Sequence, residues 1–477
     1  MSGRDEVRVI GTPLSAALRA LCLGLSMACC MREDVELAHD GPDAGRQQVF
    51  DGSGEGGSPA ADDAADGGTG SQVREAYCSG HGPPADLNWP RPGVVEQAAG
   101  CRRGLASRVF RYGLCSCSIV GFGGDFTLDA FDSQRGPYQQ GQDGASLGLN
   151  VQLTSAGVFD IRGSLISSGS GALLIASGSN HVAANFKANA ELVVNGAIDV
   201  DRDLWVNGEI TAGATTNVHG NVYQTPGHAQ PSGLTLSGQM RTQDFSVAEP
   251  CACGAPDLLD VAAVVASATP RTDNADFGIS AAELDVLPGN TFDVPCGRLA
   301  FAGVNIGLGA KLTAHGRSAL FIDGNLAIFG GFGTEPGNGE LDVFVSGSLV
   351  LGPAATIGSK ERPAALRFYV AGFSAIGITP LSQFAANLYA PHVSIAVSSS
   401  NDVYGAFFVW SYTTAAPSQL HYDSAILQLG DPDDGSCSEA SPDGGCTSDQ
   451  DCSAPLICSQ SQCTFSDART TPPRSRA

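Results

Sequence analysis

The chain has 477 residues, 61 of them Gly and 15 Cys, and a formal net charge of −23. Only 16% of its residues are charged, against about 25% in an average soluble domain, so the surface must be built largely from Ser, Thr, Asn and Gly. A chain this acidic lacks the Lys and Arg that phosphate backbones demand, which argues against nucleic acid as a partner.

In chain order, residues 1–28 read as an export signal. Arg4, Arg8 and Arg19 precede the apolar run Ala20–Ala28, which is too short to span a bilayer and suits a signal-peptide core. Ser26, Met27 and Ala28 form a small-x-small cleavage pattern, and with Cys29 next they resemble a bacterial lipobox, Ser26 standing where Leu is usual. Cys29 is the expected lipidation site, with plain secretion as the alternative. Residues 29–72 follow as an acidic spacer. Glu33–Gln72 contains ten Asp or Glu, one Arg and nine Gly, too little apolar surface to offset chain entropy, so disorder is expected. Such a segment would hold a tethered domain away from a membrane.

Residues 73–250 combine a Cys-containing stretch (Cys78, Cys101, Cys115, Cys117) with the start of a repeat. Short alternating apolar runs are broken by a Gly, as around Gly163, Gly196, Gly208, Gly220 and Gly238, with Gly196, Gly208 and Gly220 spaced by 12 residues. The rhythm returns around Gly324, Gly347 and Gly372. Period-2 alternation with regular Gly breaks predicts short strands wound into coils, each leaving one apolar row inward and using its Gly for a positive φ or a tight corner. Leu165, Ile198, Ile210, Leu326 and Leu349, two positions after the Gly, should stack in one core, with Ser164, Ala197, Glu209, Asn325 and Ser348 outward. The predicted class is all-β, a parallel β-helix or β-solenoid with a helical insertion and a small disulfide-rich C-terminal module; a β-sandwich is the rival, though it needs no Gly at a fixed place in each strand.

Residues 251–296 carry Cys251, Cys253 and Cys296 and the helical pattern Leu258, Val261, Ala262, Val265, read as a cap or clasp. Residues 297–430 resume the coils. In an exported chain disulfides are the default, and the shared spacing of Cys115/Cys117 and Cys251/Cys253 predicts two neighbouring cross-links. A zinc site made of these four cysteines is the alternative, but C-x-C fits it poorly. Residues 431–477 hold Cys437, Cys446, Cys452, Cys458 and Cys463 ahead of a disordered tail, too few residues for a core without staples; Cys437 is the candidate to pair back to the body. The run from Cys446 to Cys463 resembles small cysteine knots of myxobacterial exported proteins.

Taken together, the segments 114–117 (LCSC), 250–253 (PCAC), 295–297 (PCG), 319–324 (ALFIDG), 340–345 (ELDVFV), 387–391 (NLYAP) and 421–423 (HYD) resemble an uncharacterised family of myxobacterial lipoproteins. The stretch 340–427 is similar to a solenoid-like domain of unknown function in bacterial surface and pilus-associated proteins, and the V-x-G-x-L rhythm more loosely resembles the bactofilins. The resemblance implies fold and export, and no catalytic residues.

Chemistry is sparse. Asp199, Asp201 and Asp203 alternate along one strand and suggest a cation site or a glycosidase carboxylate pair, against the simpler reading of a solvated acidic face. His421 and Asp423 look like acid–base partners, but at the end of the last coil they read better as a seal. No nucleophile elbow or phosphate loop occurs, and no cofactor or catalytic residue is expected. The expected function is a cell-envelope lipoprotein at the outer membrane or cell surface, a structural or adhesive module meeting the membrane through its lipid and envelope polysaccharide, surface proteins or its own copies. The alternative is a β-helical carbohydrate-active enzyme.

Overall fold

The computed structural model describes residues 69–81, 84–85, 105–213, 215–229, 231–429 and two short strands, Leu456–Ser459 and Gln462–Phe465. The fold is a mostly β, parallel β-solenoid of about 14 turns with few helices. Most coils supply three short strands, one to each side of the rod, whereas Asn387–Val397 runs as a single strand over two sides. Leu114–Ser116, Ile119–Phe122 and Phe126–Phe131 make one coil; Leu147–Leu149, Gln152–Ser155 and Phe159–Ile161 make the next. Corresponding strands pair in parallel, Leu114 with Leu147, Val120 with Leu153, Phe126 with Phe159. The third side is a single 13-stranded sheet.

The predicted inward row is buried: Leu165, Ile198, Ile210, Leu326 and Leu349 all belong to one hydrophobic cluster. Glu209 points to solvent, and its replacement by Ala should change stability by no more than about 0.5 kcal/mol. Asn325 also faces outward, but it is not without a structural part. Its Oδ1 accepts a hydrogen bond from the Ser348 N–H of the next coil at 2.8 Å, so it contributes about 1 kcal/mol rather than nothing.

Gly324 has the positive φ expected of the recurring Gly, 157°, but at the other positions the Gly has another role. Gly163, Gly196, Gly208, Gly220, Gly347 and Gly372 are absent from the positive-φ glycines. A Cβ on Gly163 would lie 2.3 Å from the Ala145 carbonyl oxygen, and one on Gly347 2.5 Å from that of Gly324. The neighbouring coil's backbone passes there, so glycine is needed for close stacking rather than for a left-handed turn.

Order along the rod is not order along the chain. The coil 114–131 lies in the middle. From it the chain builds coil upon coil to one end, at Leu234–Leu236 and Met240–Thr242. It then returns along the outside and restarts at the far end with Leu284–Val286, Thr291–Val294 and Gly297–Phe301, the first two of them inside the segment 251–296 read as an insertion. It builds back until Phe407–Thr414 and Ser418–Asp423 pair with the strands of coil 114–131. The two stacks thereby fuse into one rod.

The returning segment is a clasp. Beneath it runs an outward row in continuous register, Tyr223, Trp205, Lys187, Ile166, Gly148, Cys115, Phe408 and Tyr389. Phe245 meets the Trp205 ring edge-on at 5.4 Å, and Trp205 stacks on Tyr223 at 3.5 Å. The Val247 N–H donates to Asn189 Oδ1, Asn150 exchanges two hydrogen bonds with the Cys251 backbone, and the Leu259 N–H donates to the Tyr389 hydroxyl at 2.8 Å. Phe245→Ala should cost about 1–2 kcal/mol, read as a lowered urea midpoint, from the lost ring contact and half-buried area.

The clasp ends in a helix, Val261–Ala268, capped by the Asp260 carboxylate, which accepts from the Ala263 N–H. It starts three residues later than Leu258, so Val261, Val264 and Val265 are buried while Ala262 faces out, contrary to the sequence reading. A second helix, Thr69–Cys78, begins within the segment read as spacer. Its Tyr77 lies between Arg298 and Arg317, whose guanidinium carbons stand 4.7 and 4.5 Å from the ring centre.

Candidate functional site

Three cysteine pairs lie at disulfide distance: Cys78–Cys296, Cys115–Cys251 and Cys117–Cys253. The zinc alternative for the last two pairs is thereby replaced by cross-links. They do not join two strands. Cys115 sits in Leu114–Ser116 with Cys117 just beyond it, whereas Cys251 and Cys253 belong to the clasp, which has no strand there. The three pairs fit an oxidising compartment. Cys29, Cys101, Cys437, Cys446 and Cys452 lie outside the described residues. Cys458 and Cys463 are opposite each other in a short antiparallel pair of strands.

With the first side covered by the clasp, the third side carries the open polar surface. One outward row places Asp402, Gln419, Thr127, Asp160, His181, Asp199, Asn217 and Thr235 in lateral register. Over the end of this row formed by Asp402, Gln419 and Thr127 lies a trough of about 500 Å³, lined among others by Asp125, Gln140, Lys360 and Gln383. Its lining is mainly amide, carboxylate and hydroxyl, with the Lys360 ammonium and two prolines, which suits a hydroxylated ligand.

Two residues along the strand from Thr127 lies a buried polar cluster. Asp129, fully buried, accepts hydrogen bonds from the Tyr138 hydroxyl at 2.8 Å and the Gly141 N–H at 2.8 Å, and pairs with His421 Nδ1 at 2.6 Å. The His421 ring packs against Tyr138 and Tyr404. Burial raises the Asp423 pKa, opposed by hydrogen bonds from the Ser133, Ala364 and Ala425 N–H groups. His421 and Asp423 therefore join the last strand to the loop after Phe131 and the turn before Leu366. This is the seal that the sequence favoured.

Asp199 and Asp201 share the open face, and Asp203 does not: its carboxylate turns to the next corner and accepts from the Asn221 N–H at 2.7 Å. Beside the first two the structure brings residues that the sequence reading passed over. His219 Nε2 lies 2.9 Å from Asp199 Oδ1. His181 bridges Asp160, at 2.7 Å from its Nδ1, and Asp201, at 3.2 Å from its Nε2. On the other stack His315 bridges Asp293 and Glu335, at 3.0 and 3.1 Å. The signal was present as a His and an acid about one coil apart in sequence, which only a known coil length turns into a contact.

The hydrogen bonds to Asp293 and Glu335 raise the His315 pKa. Its imidazolium form contributes stability below the unfolded value of about 6.5, and that contribution is lost as pH rises through the higher folded value. In an NMR titration the His315 midpoint should lie above about 6.5, and Asp293→Asn should lower it.

The family described as Domain of unknown function (DUF7305) matches residues 262–429. That stretch begins in the clasp helix and covers the second stack to its last coil, so the match delimits one of the two stacks. No curated protein matches the chain, and no solved structure matches it.

Proposed function

We propose that the chain is an exported structural or adhesive module of the cell envelope, without catalytic activity, tethered through lipid on Cys29 and the acidic segment after it. The observation that carries this reading is the build of the rod: two stacks fused end to end, clasped along one side by a disulfide-linked return segment, with a polar trough on another side. Such a body is stiff and presents one long hydrogen-bonding face. The ligand class that fits the trough is a neutral polysaccharide, because a chain with a net charge of −23 repels polyanions and the lining supplies amides and carboxylates for hydroxyl groups.

A carbohydrate-active enzyme is the second reading, favoured by the presence of both Asp125 and Asp402 in the trough. Incubating the folded chain with a panel of neutral polysaccharides separates the two. Retention on a polysaccharide column without product release supports the module, and catalytic product release, lost in Asp402→Asn, supports the enzyme. Retention should fall when Gln419 and Gln383 are both replaced by Ala. The anchor is tested separately by mass spectrometry of the mature N-terminus in the native host, where an unmodified Cys29 would leave secretion.

A further inference from the structure

We infer that Asp199, Asp201 and His219 form a binding site for a first-row transition-metal dication on the open face of the rod. One donor atom from each of these side chains lies within 4.8 Å of the others, and this is the single such convergence of three donors among the described residues. Asp199 lies on Ala197–Val200 and Asp201 follows it. His219 follows Thr216–Val218, whose Asn217 is level with Asp199, so the imidazole stands one coil along and beside both carboxylates. Strand pairing therefore sets the spacing before any ion arrives.

The geometry admits an ion among the three donors. Metal–nitrogen and metal–oxygen bonds of about 2.1 Å at right angles place their donor atoms about 3.0 Å apart. The separation between His219 Nε2 and Asp199 Oδ1 is 2.9 Å, a hydrogen bond without the ion, and the same spacing lets both atoms ligate one octahedral centre when the ion displaces the proton between them, with water completing the shell.

An ordering chain lies behind the ligands. Arg162 Nε donates to Asp160 Oδ2 at 2.9 Å, Asp160 Oδ1 holds His181 Nδ1, and His181 Nε2 holds Asp201 Oδ2. This leaves Asp201 Oδ1 for the ion and fixes the carboxylate that carries it, the part that outer-shell partners play around bound metals. The trio on the other stack is a contrast built from the same residue types. There His315 uses both ring nitrogens on acids at opposite sides, and no three donors converge. One imidazole with two carboxylates favours zinc, cobalt or nickel over calcium, which prefers all-oxygen shells. Because the donors come from two successive coils, the bound ion would pin one coil to the next.

The test uses the full mature chain, oxidised, with zinc followed by calorimetry and cobalt by its visible absorption. One zinc equivalent is expected at this site, with the His219 ring resonances moving on titration. His219→Ala and Asp199→Asn should abolish that event, and His181→Gln should weaken it about 10–100-fold. His315→Ala should leave it unchanged, and far-ultraviolet circular dichroism checks that each variant is folded. The site is overturned if zinc and cobalt do not bind, if binding survives His219→Ala, if His315→Ala removes it, or if calcium alone is taken up.

Discussion

Replacing Asp342 with Ala should destabilise the protein by about 3–5 kcal/mol, the cost of leaving a buried charge without its partner. Arg367 is buried, and its guanidinium meets the Asp342 carboxylate with two bonds, from Nε at 2.6 Å and from an Nη at 2.8 Å. The other Nη donates to the Ala364 carbonyl at 2.9 Å, while Glu340 stands 3.3 Å away. Burial opposes the charge on Arg367, yet the two carboxylates hold its pKa above the usual arginine value. In Asp342→Ala the half-buried Glu340 is, among the described residues, the acid left to pair with it. The double variant Asp342→Leu, Arg367→Met should recover most of the loss, because it removes the desolvated charge together with its partner. Urea unfolding of both variants decides it; a loss under about 1 kcal/mol for the single variant would mean that the pair behaves as an exposed one.

The local part of this architecture was legible in the sequence, because alternation and Gly spacing are properties of neighbouring residues. Leu165, Ile198 and Leu326 fall inward on that ground, and they are buried. The reason for the Gly was not legible: Gly163 and Gly196 are set by backbone atoms about a coil away, and a sequence does not show which carbonyl will lie over a missing Cβ. Nor was the order of coils. The pairing of Phe126–Phe131 with Ser418–Asp423 joins residues almost 300 positions apart, and no periodic signal connects them. The same distance hides the His421–Asp129 contact, although His421 stands out in the sequence. Cys78 and Cys296 are candidates without partners there, because their pairing depends on where the helix Thr69–Cys78 lands. The His–acid contacts of the open face escape for a simpler reason. Asp199 and Asp201 invite comparison along one strand, while their partners His219 and His181 are on the coils to either side.

The fused topology places an unusual demand on the middle of the rod. The coil 114–131 is paired on both sides, but one of those sides is completed by the last residues of the second stack. Until then its strands present an open edge, which is a site for unwanted pairing between copies. The clasp brings the second stack back to the place where it must close, and its two disulfides fix that return next to the edge in question.

Those two disulfides should therefore be strongly non-additive. Each spans 136 positions, and closing a loop of that size is worth about 5 kcal/mol in the chain-entropy account. Cys115 and Cys117 are two residues apart, as are Cys251 and Cys253. With one bond in place, the other closes a ring of only a few residues. Removing either pair alone, as Cys117→Ser with Cys253→Ser or Cys115→Ser with Cys251→Ser, should cost about 2 kcal/mol, since the neighbouring bond still shuts the large loop. Removing both pairs should cost about 5 kcal/mol more, because only then is the loop released in the unfolded chain. Urea unfolding of the three variants, with Cys78–Cys296 left intact, measures the two steps. Equal costs for the first and second pair would show that the bonds act through local packing in the clasp rather than through the loop they close. If the clasp is what guides closure, the variant lacking both pairs should also form more aggregate on refolding than either single-pair variant, because the edge at Leu114–Ser116 then waits longer for Phe407–Thr414.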